Sequence, residues 1–412
     1  MIRRNLTSDL VAALGDTPVV VLHGARQTGK STLVRELART RPSSSYVTLD
    51  DAVALSAARL DPAGFLAGFQ GNVVIDEVQR APNLFLAIKA EVDRNRRPGR
   101  FLLTGSANIL LIPHLAESLA GRMEIQTLWP FSQGEVAGIR EGFIDAAFDR
   151  KPLRMSDARR RRFKLADLLL TGGYPPALAR ASNDRRRAWF GSYVTTILER
   201  DVRDLANVES LAMLPRLLSI VAARTGGLLN FADLSRGASI PQSTLKRYFA
   251  LFETTFLVQL IPAWATNLGK RLLKSPKVHL VDTGLTSYLL GLDASRLAGD
   301  PGLKGALLES FVAGELAKQS TWSRRKPRLF HFRQTTGQEV DLVLEDLSGN
   351  VVGIEVKASS TVTGGDFSGL RSLAEITGKR FRCGIVLYMG TTTASFGANF
   401  YALPLQTLWR LG

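Results

Sequence analysis

Through the first 130 residues, short apolar runs alternate with segments of helical periodicity. The runs Val19-Val20-Val21-Leu22, Tyr46-Val47-Thr48-Leu49, Val73-Val74-Ile75, Phe101-Leu102-Leu103 and Met123–Leu128 read as five strands. Near-continuous apolar strands separated by helices predict a parallel sheet covered on both faces, an α/β fold. The Arg-rich run from Asp157 to Lys164 breaks this pattern and lies near a boundary. From Leu165 to Leu260 the spacing is mostly helical, and after Trp264-Ala265-Thr266-Asn267-Leu268-Gly269 strands return and alternate with helices to the end. At 412 residues the chain is too long for one core, and two to three domains are expected. The boundaries read as a P-loop domain over 1–140, a helical linker over 141–205, a helix-turn-helix region over 206–268 and an α/β domain over 269–412.

The segment Gly24-Ala25-Arg26-Gln27-Thr28-Gly29-Lys30-Ser31 directly follows the first strand and opens a helix at Thr32. Glycines let a backbone wrap phosphates closely, and loop N–H groups at a helix N-terminus favour negative charge. Lys30 would reach the β- and γ-phosphates of ATP, and Ser31 would ligate Mg²⁺. The competing reading is a Gly-rich turn that binds nothing.

Val73-Val74-Ile75-Asp76-Glu77 ends a strand in two acids. Asp76 would hold the Mg²⁺ shell at the sheet edge, and Glu77 would polarise an attacking water. That pair favours hydrolysis over transfer to a small metabolite, although either acid could be a plain helix cap. Thr104 and Ser106, in Leu102-Leu103-Thr104-Gly105-Ser106, stand at the end of the next strand and are candidates to sense the γ-phosphate or hold the water. Arg122, before the last strand, could neutralise transition-state charge in cis or from a neighbouring subunit, or be a solvated arginine.

Residues Asn230 to Phe249 read as helix, tight turn, helix. Phe231 and Leu234 would face inward, and Leu245, Tyr248, Phe249 and Phe252 would form the buried stripe of the second helix. Gln242, Ser243, Lys246 and Arg247 would project outward, where such side chains reach phosphates and base edges. A protein-docking role for the same region stays open.

Near the C-terminus, Glu339-Val340-Asp341 and Glu355-Val356-Lys357 lie at the ends of strand-like runs, and Glu309 sits on an upstream helix. Residues two apart on a strand share a face, so Glu355 and Lys357 would point together towards Asp341 if the strands pair. A helical Glu, then Asp, then Glu-x-Lys resembles the PD-(D/E)xK nuclease-like centres. That resemblance implies a hard metal held by Glu309, Asp341 and Glu355, with Lys357 orienting water. The alternative is a strand-edge ion pair without chemistry.

The motifs at Gly24–Ser31, Val73–Glu77, Leu103–Ser106, Leu119-Ala120-Gly121-Arg122, Gly172-Gly173-Tyr174-Pro175, Leu198-Glu199-Arg200-Asp201-Val202 and Gly305–Val312 together resemble prokaryotic AAA-type ATPases with an uncharacterised C-terminal domain. The resemblance spans nearly the whole chain. It implies a P-loop core with an additional strand, a winged-helix middle region and a restriction-endonuclease-like C-terminal domain.

Charge sharpens the expectation about partners. Lys and Arg number 53 against 37 Asp and Glu, a net +16, and such a field attracts polyanions, DNA first among them. A homo-oligomer and a protein partner are further expectations. The single cysteine, Cys383, excludes an intramolecular disulfide and a Cys-cluster metal site, and its apolar surroundings predict burial. No apolar run reaches the roughly 18–20 residues of a bilayer span, so a cytoplasmic protein without a membrane partner is expected. Two functions compete: an ATP hydrolase coupled to DNA binding or processing, and a nucleotide-dependent switch whose C-terminal domain binds a partner without cutting.

Overall fold

The computed structural model describes residues 2–106, 119–149, 163–201 and 213–411. Most of the Arg-rich run, the 205/206 boundary and Val202 lie outside them. Contacts divide the chain into two compact units, one made of residues 3–131 with 251–256 and the other of 132–250 with 257–411.

The first unit is built on a five-stranded sheet: β1 (Val19–His23), β2 (Ser44–Thr48), β3 (Asn72–Asp76), β4 (Phe101–Gly105) and β5 (Met123–Thr127). The order is β2-β3-β4-β1-β5, and every pairing is parallel. All five expected strands are present, each shifted by no more than a residue or two at its ends. Their apolar continuity has the expected cause. Val19 and Val21 of β1 join Val73, Ile75, Phe101 and Leu103 on one face, while Val20, Leu22, Val74 and Leu102 pack on the other. The helices Thr7–Asp16 and Lys30–Thr40 cover the second face and Leu84–Arg94 the first. In this order β4 stands between the phosphate-loop strand β1 and the acid strand β3, so β4 is the additional strand.

The second unit holds the helical middle and the C-terminal sheet. Helices Met213–Ala222, Phe231–Ala238 and Gln242–Thr254, of which residues 251–254 group with the first unit, precede a two-stranded antiparallel ladder, β6 (Val258–Ile261) with β7 (Lys277–Leu280). The extended stretch around Leu228 bridges Lys277 on the other side of β7, so β7 is flanked on both sides. Leu234, Leu245, Tyr248 and Phe249 are buried, and Gln242, Ser243, Lys246 and Arg247 are exposed, as the periodicity requires.

The C-terminal sheet runs β12-β13-β11-β10-β9-β8, with β8 (Arg328–Arg333), β9 (Glu339–Glu345), β10 (Val351–Lys357), β11 (Phe381–Tyr388), β12 (Ala394–Ser395) and β13 (Phe400–Pro404). It is mixed: β8, β9 and β10 form an antiparallel meander, and β10, β11 and β13 are parallel. Helix Pro301–Ser320 packs Leu307, Leu308, Phe311, Val312 and Leu316 on one face, and helix Ser368–Thr377 packs Leu370 and Leu373 on the other. Cys383 is buried in β11. Two boundaries differ from expectation. Asp341 lies near the start of β9 rather than at the end of a run, and Glu355 to Lys357 belong to β10 rather than following it. Alternation alone misplaced these ends because charged residues interrupt it where the strands still pair.

Candidate functional site

Two groups of charged residues stand at strand ends, one in each unit. In the first, the loop Gly24–Gly29 joins β1 to the helix Lys30–Thr40. Gly24 has φ +147, and a Cβ there would stand 2.2 Å from the Leu128 carbonyl oxygen; Gly29 has φ +95 and opens the helix. Only glycine meets both demands at low cost. Thr28 is fully buried and donates to the Ala25 carbonyl at 2.9 Å. Lys30 is 5% exposed, and its Nζ donates to the carbonyls of Gly24 and Ala25, at 2.8 Å each. Ala25 is buried, whereas Arg26, Gln27, Ser31 and Thr32 reach the surface to differing degrees.

Asp76 closes β3, 2% exposed. Its two oxygens accept from Tyr46 Oη at 2.7 Å and from Thr104 Oγ1. Tyr46 is held above its ordinary pKa by burial and by this bond to Asp76, so it remains a donor. Thr104 also accepts from the Glu77 backbone N–H at 3.1 Å. Glu77 sits at φ 59 and ψ 43, a left-handed conformation uncommon outside glycine, which turns the chain sharply after β3. Gln79 Nε2 donates to Glu77 Oε2 and to Ser106 Oγ, the latter at 3.1 Å. Thr104 is therefore a positioning group for both acids, while Ser106 is tied to Glu77 through Gln79. His23, the last residue of β1, meets Thr127 Oγ1 at 2.7 Å, and burial followed by the Lys30 charge lowers its pKa to about 4.

Arg122 requires a correction. Its guanidinium pairs with both oxygens of Asp93 at 2.5 and 2.9 Å, and its carbonyl accepts from Val19, the first residue of β1. It thus stands at the edge of the parallel sheet where the strands begin, whereas the phosphate loop lies where β1 ends. Five residues of strand at about 3.3 Å each separate the two edges. Action in cis is excluded by that distance.

The site fits a Mg-nucleotide. A wrapped loop of the required backbone, a buried lysine on that loop and a pre-held carboxylate all belong to one sheet edge. Sequence reasoning missed Tyr46 and Gln79. Each is polar and flanks an apolar or acidic motif, but no spacing rule links them to it.

In the second unit, Glu309, Asp341, Glu355 and Lys357 do come together, with a fifth group that the sequence did not advertise. Lys277 of β7, 6% exposed, donates its ammonium to Glu309 Oε1 at 2.7 Å and lies 3.5 Å from Asp341 Oδ1. Asp341 Oδ2 accepts from the Val356 backbone N–H at 2.9 Å, just where the β9–β10 ladder ends. Lys357 donates to Glu355 Oε1 at 3.0 Å and stands 3.8 Å from Asp366. Burial first, and then the Asp341 charge, push Glu309 and Glu355 above the usual carboxylate range. Burial would lower the Lys277 pKa, but Glu309 and Asp341 outweigh it and hold it above the ordinary lysine value.

The three acids expected to share a metal do not form one ligand set. Each has its own donor, and among the described residues no group of three or more His, Cys, Asp and Glu could hold a metal ion. The residues as arranged do not fit the metal that the nuclease-like resemblance implies. The signal for Lys277 was present in Lys277-Val278-His279-Leu280, where two polar residues recur at strand spacing on one face. Among the described residues, no helix is long and apolar enough to cross a membrane.

Comparison with known proteins agrees with the first site. An AAA domain matches residues 16–137, and two domains of unknown function, DUF8612 and DUF4143, match 162–296 and 304–408. An uncharacterized protein of Mycobacterium tuberculosis is 36% identical over 361 residues, covering 87% of this chain and 74% of that protein. One from Mycobacterium bovis gives the same figures. A crystal structure from Pyrococcus horikoshii, a Signal Transduction ATPase with Numerous Domains carrying a tetratricopeptide repeat sensor, is 13% identical. It covers 77% of this chain and 45% of its own, with a TM-score of 0.25, too low to carry an argument. At the identity and coverage of the mycobacterial matches, the chain belongs to the family of those proteins, and its first third is an AAA-type, nucleotide-binding P-loop domain.

Proposed function

We propose that the protein hydrolyses ATP with Mg²⁺ and uses the cycle to control contact with DNA. The observation that carries the hydrolytic half is Asp76, a buried carboxylate held by two neutral hydroxyls beside a phosphate loop, with Glu77 next to it. Ser31 and Asp76 would hold the ion, which when bound offsets charge on the β- and γ-phosphates. The loop amides and Lys30 bind and orient the triphosphate, the ammonium moving from its own loop's carbonyls to phosphate oxygens. Glu77 accepts the proton of the attacking water once Gln79 releases it, and Thr104 fixes the acids' relative position. Glu77→Gln is expected to lower steady-state turnover by about 10²–10⁴-fold with nucleotide binding retained. Turnover equal to wild type would sink the assignment.

Support for DNA contact comes from the middle region. Helix, bridging segment, helix, turn, helix and a two-stranded ladder, in that order, are the parts of a winged helix. Gln242, Ser243, Lys246 and Arg247 line the exposed side of its third helix, on a chain of net charge +16. Lys246→Glu with Arg247→Glu should weaken duplex binding and reduce the salt slope by about 2. Unchanged affinity and slope would remove DNA from the reading.

A second reading, a nucleotide switch whose C-terminal domain has the nuclease-like layout without cutting, is favoured by Lys277. The order of helix, β8, β9, β10, helix and β11 supports the layout, and the ammonium between Glu309 and Asp341 argues against a working metal centre.

A further inference from the structure

The strand β7 reaches the C-terminal acids from outside their sheet. It is paired to β6 through Ile261 and Lys277 and to the preceding extended stretch through Leu228 and Lys277, so its backbone is held on both sides. Two residues on, His279 is 1% exposed and its Nδ1 meets Ser310 Oγ at 3.0 Å, one position beyond Glu309. Its Nε2 has no hydrogen-bond partner and faces Glu309 Oε1 at 3.9 Å. The backbone that carries Lys277 is therefore fixed by pairing on both sides, and its ammonium lies between Glu309 and Asp341.

We infer that Lys277 is the resident cation of the Glu309–Asp341 pair and excludes a divalent metal from it. This rests on the nuclease-like reading of the acids and departs from the metal centre which that layout implies. The argument is spatial and electrostatic. A Mg²⁺ or Mn²⁺ ion needs several oxygens at about 2.0–2.2 Å. The ammonium already stands 2.7 Å from one of the oxygens and 3.5 Å from the other, in the space such an ion would need. A second cation there would meet the full charge of the first in a poorly screened setting. Two further oxygens are committed as well, Asp341 Oδ2 to the Val356 amide and Glu355 Oε1 to Lys357.

The test is Mn²⁺ binding to the full chain without nucleotide, read by calorimetry and by the electron paramagnetic resonance of free Mn²⁺. Wild type and Asp341→Asn should bind Mn²⁺ identically, because Asp341 holds no metal in the native protein. Lys277→Met should gain one site at least about tenfold tighter than any in wild type, and Asp341→Asn in that background should erase it. Lys277→Arg, which keeps the cation, should gain nothing. Wild-type Mn²⁺ binding that disappears in Asp341→Asn would overturn the inference while upholding the nuclease-like metal centre. A folded Lys277→Met that gains no site would overturn both. Should Lys277→Met fail to fold, the wild-type against Asp341→Asn comparison decides alone.

Discussion

At the end of β3, Asp76 is held by the hydroxyls of Tyr46 and Thr104, and Lys30 on the phosphate loop directs its ammonium at backbone carbonyls. At the start of β9, Asp341 shares an ammonium, that of Lys277, with Glu309. Both places combine a buried lysine with a buried aspartate, yet they are prepared for different work. Hydroxyl donors fix a carboxylate's direction and leave its charge available to an incoming cation. An ammonium fixes the direction and cancels the charge, so the group becomes a strut. Which donor holds a carboxylate therefore says more about its use than the acid's own burial does.

The largest effect should separate the two lysines. Lys30→Met is expected to weaken ATP binding by on the order of 100-fold or more, roughly 3 kcal/mol, in equilibrium titration. Lys277→Met should leave ATP affinity unchanged within about twofold. Equal losses in both would break the comparison. Stability should respond the other way. Removing one partner of a buried pair leaves the other charge uncompensated, so Lys277→Met should cost about 3 kcal/mol in denaturant unfolding.

The pH dependence comes next. His23 has its folded pKa lowered from 6.5 to about 4, so the stability it contributes is present above 6.5 and is lost as pH falls from there towards 4. The loss amounts to on the order of 3 kcal/mol at the acid end. Glu309 has a raised folded pKa, so its contribution is present below the ordinary carboxylate value of 4.5 and is lost as pH rises through the folded one. His23→Gln should flatten the acid limb and Glu309→Gln the alkaline limb of the stability profile, measured by chemical denaturation. The reverse assignment would refute it.

Two smaller effects complete the series. Gln79→Leu frees Glu77 Oε2 from its donor and should change turnover by about three- to tenfold with little change in nucleotide affinity. Arg122→Ala should leave turnover within about twofold of wild type in dilute protein, since the residue pairs with Asp93 at the far edge of the sheet. A large fall that appears only at concentrations where the chain self-associates would place Arg122 in a neighbouring subunit's site.

Much of the nucleotide site was legible in residues 24–31 and 73–77, because its chemistry is written in consecutive residues. Backbone shape, strand period and helix start all act over a few positions. The four-residue set Glu309, Asp341, Glu355 and Lys357 was also legible as a constellation, but its chemical meaning was not. Glu309 and Lys277 are 32 residues apart, and no local rule joins a strand beside the middle helices to a helix over the C-terminal sheet. Arg122 shows the same limit. Its position before an apolar run is plain in the sequence, but which edge of the sheet that puts it on depends on all the strands being parallel.

The sequence by itself determined the five-stranded alternation, the phosphate loop, the Asp76-Glu77 pair, the exposed row on the third middle helix and the burial of Cys383. These follow from side-chain period and from backbone demands that only certain residues meet. Tertiary structure alone decided that Tyr46, Thr104 and Gln79 hold the acids, that Arg122 sits at the opposite edge, and that Lys277 stands where a metal was expected. Those outcomes depend on strand order and on which distant side chains share one buried space, where a charge must find a partner and takes the one the fold supplies.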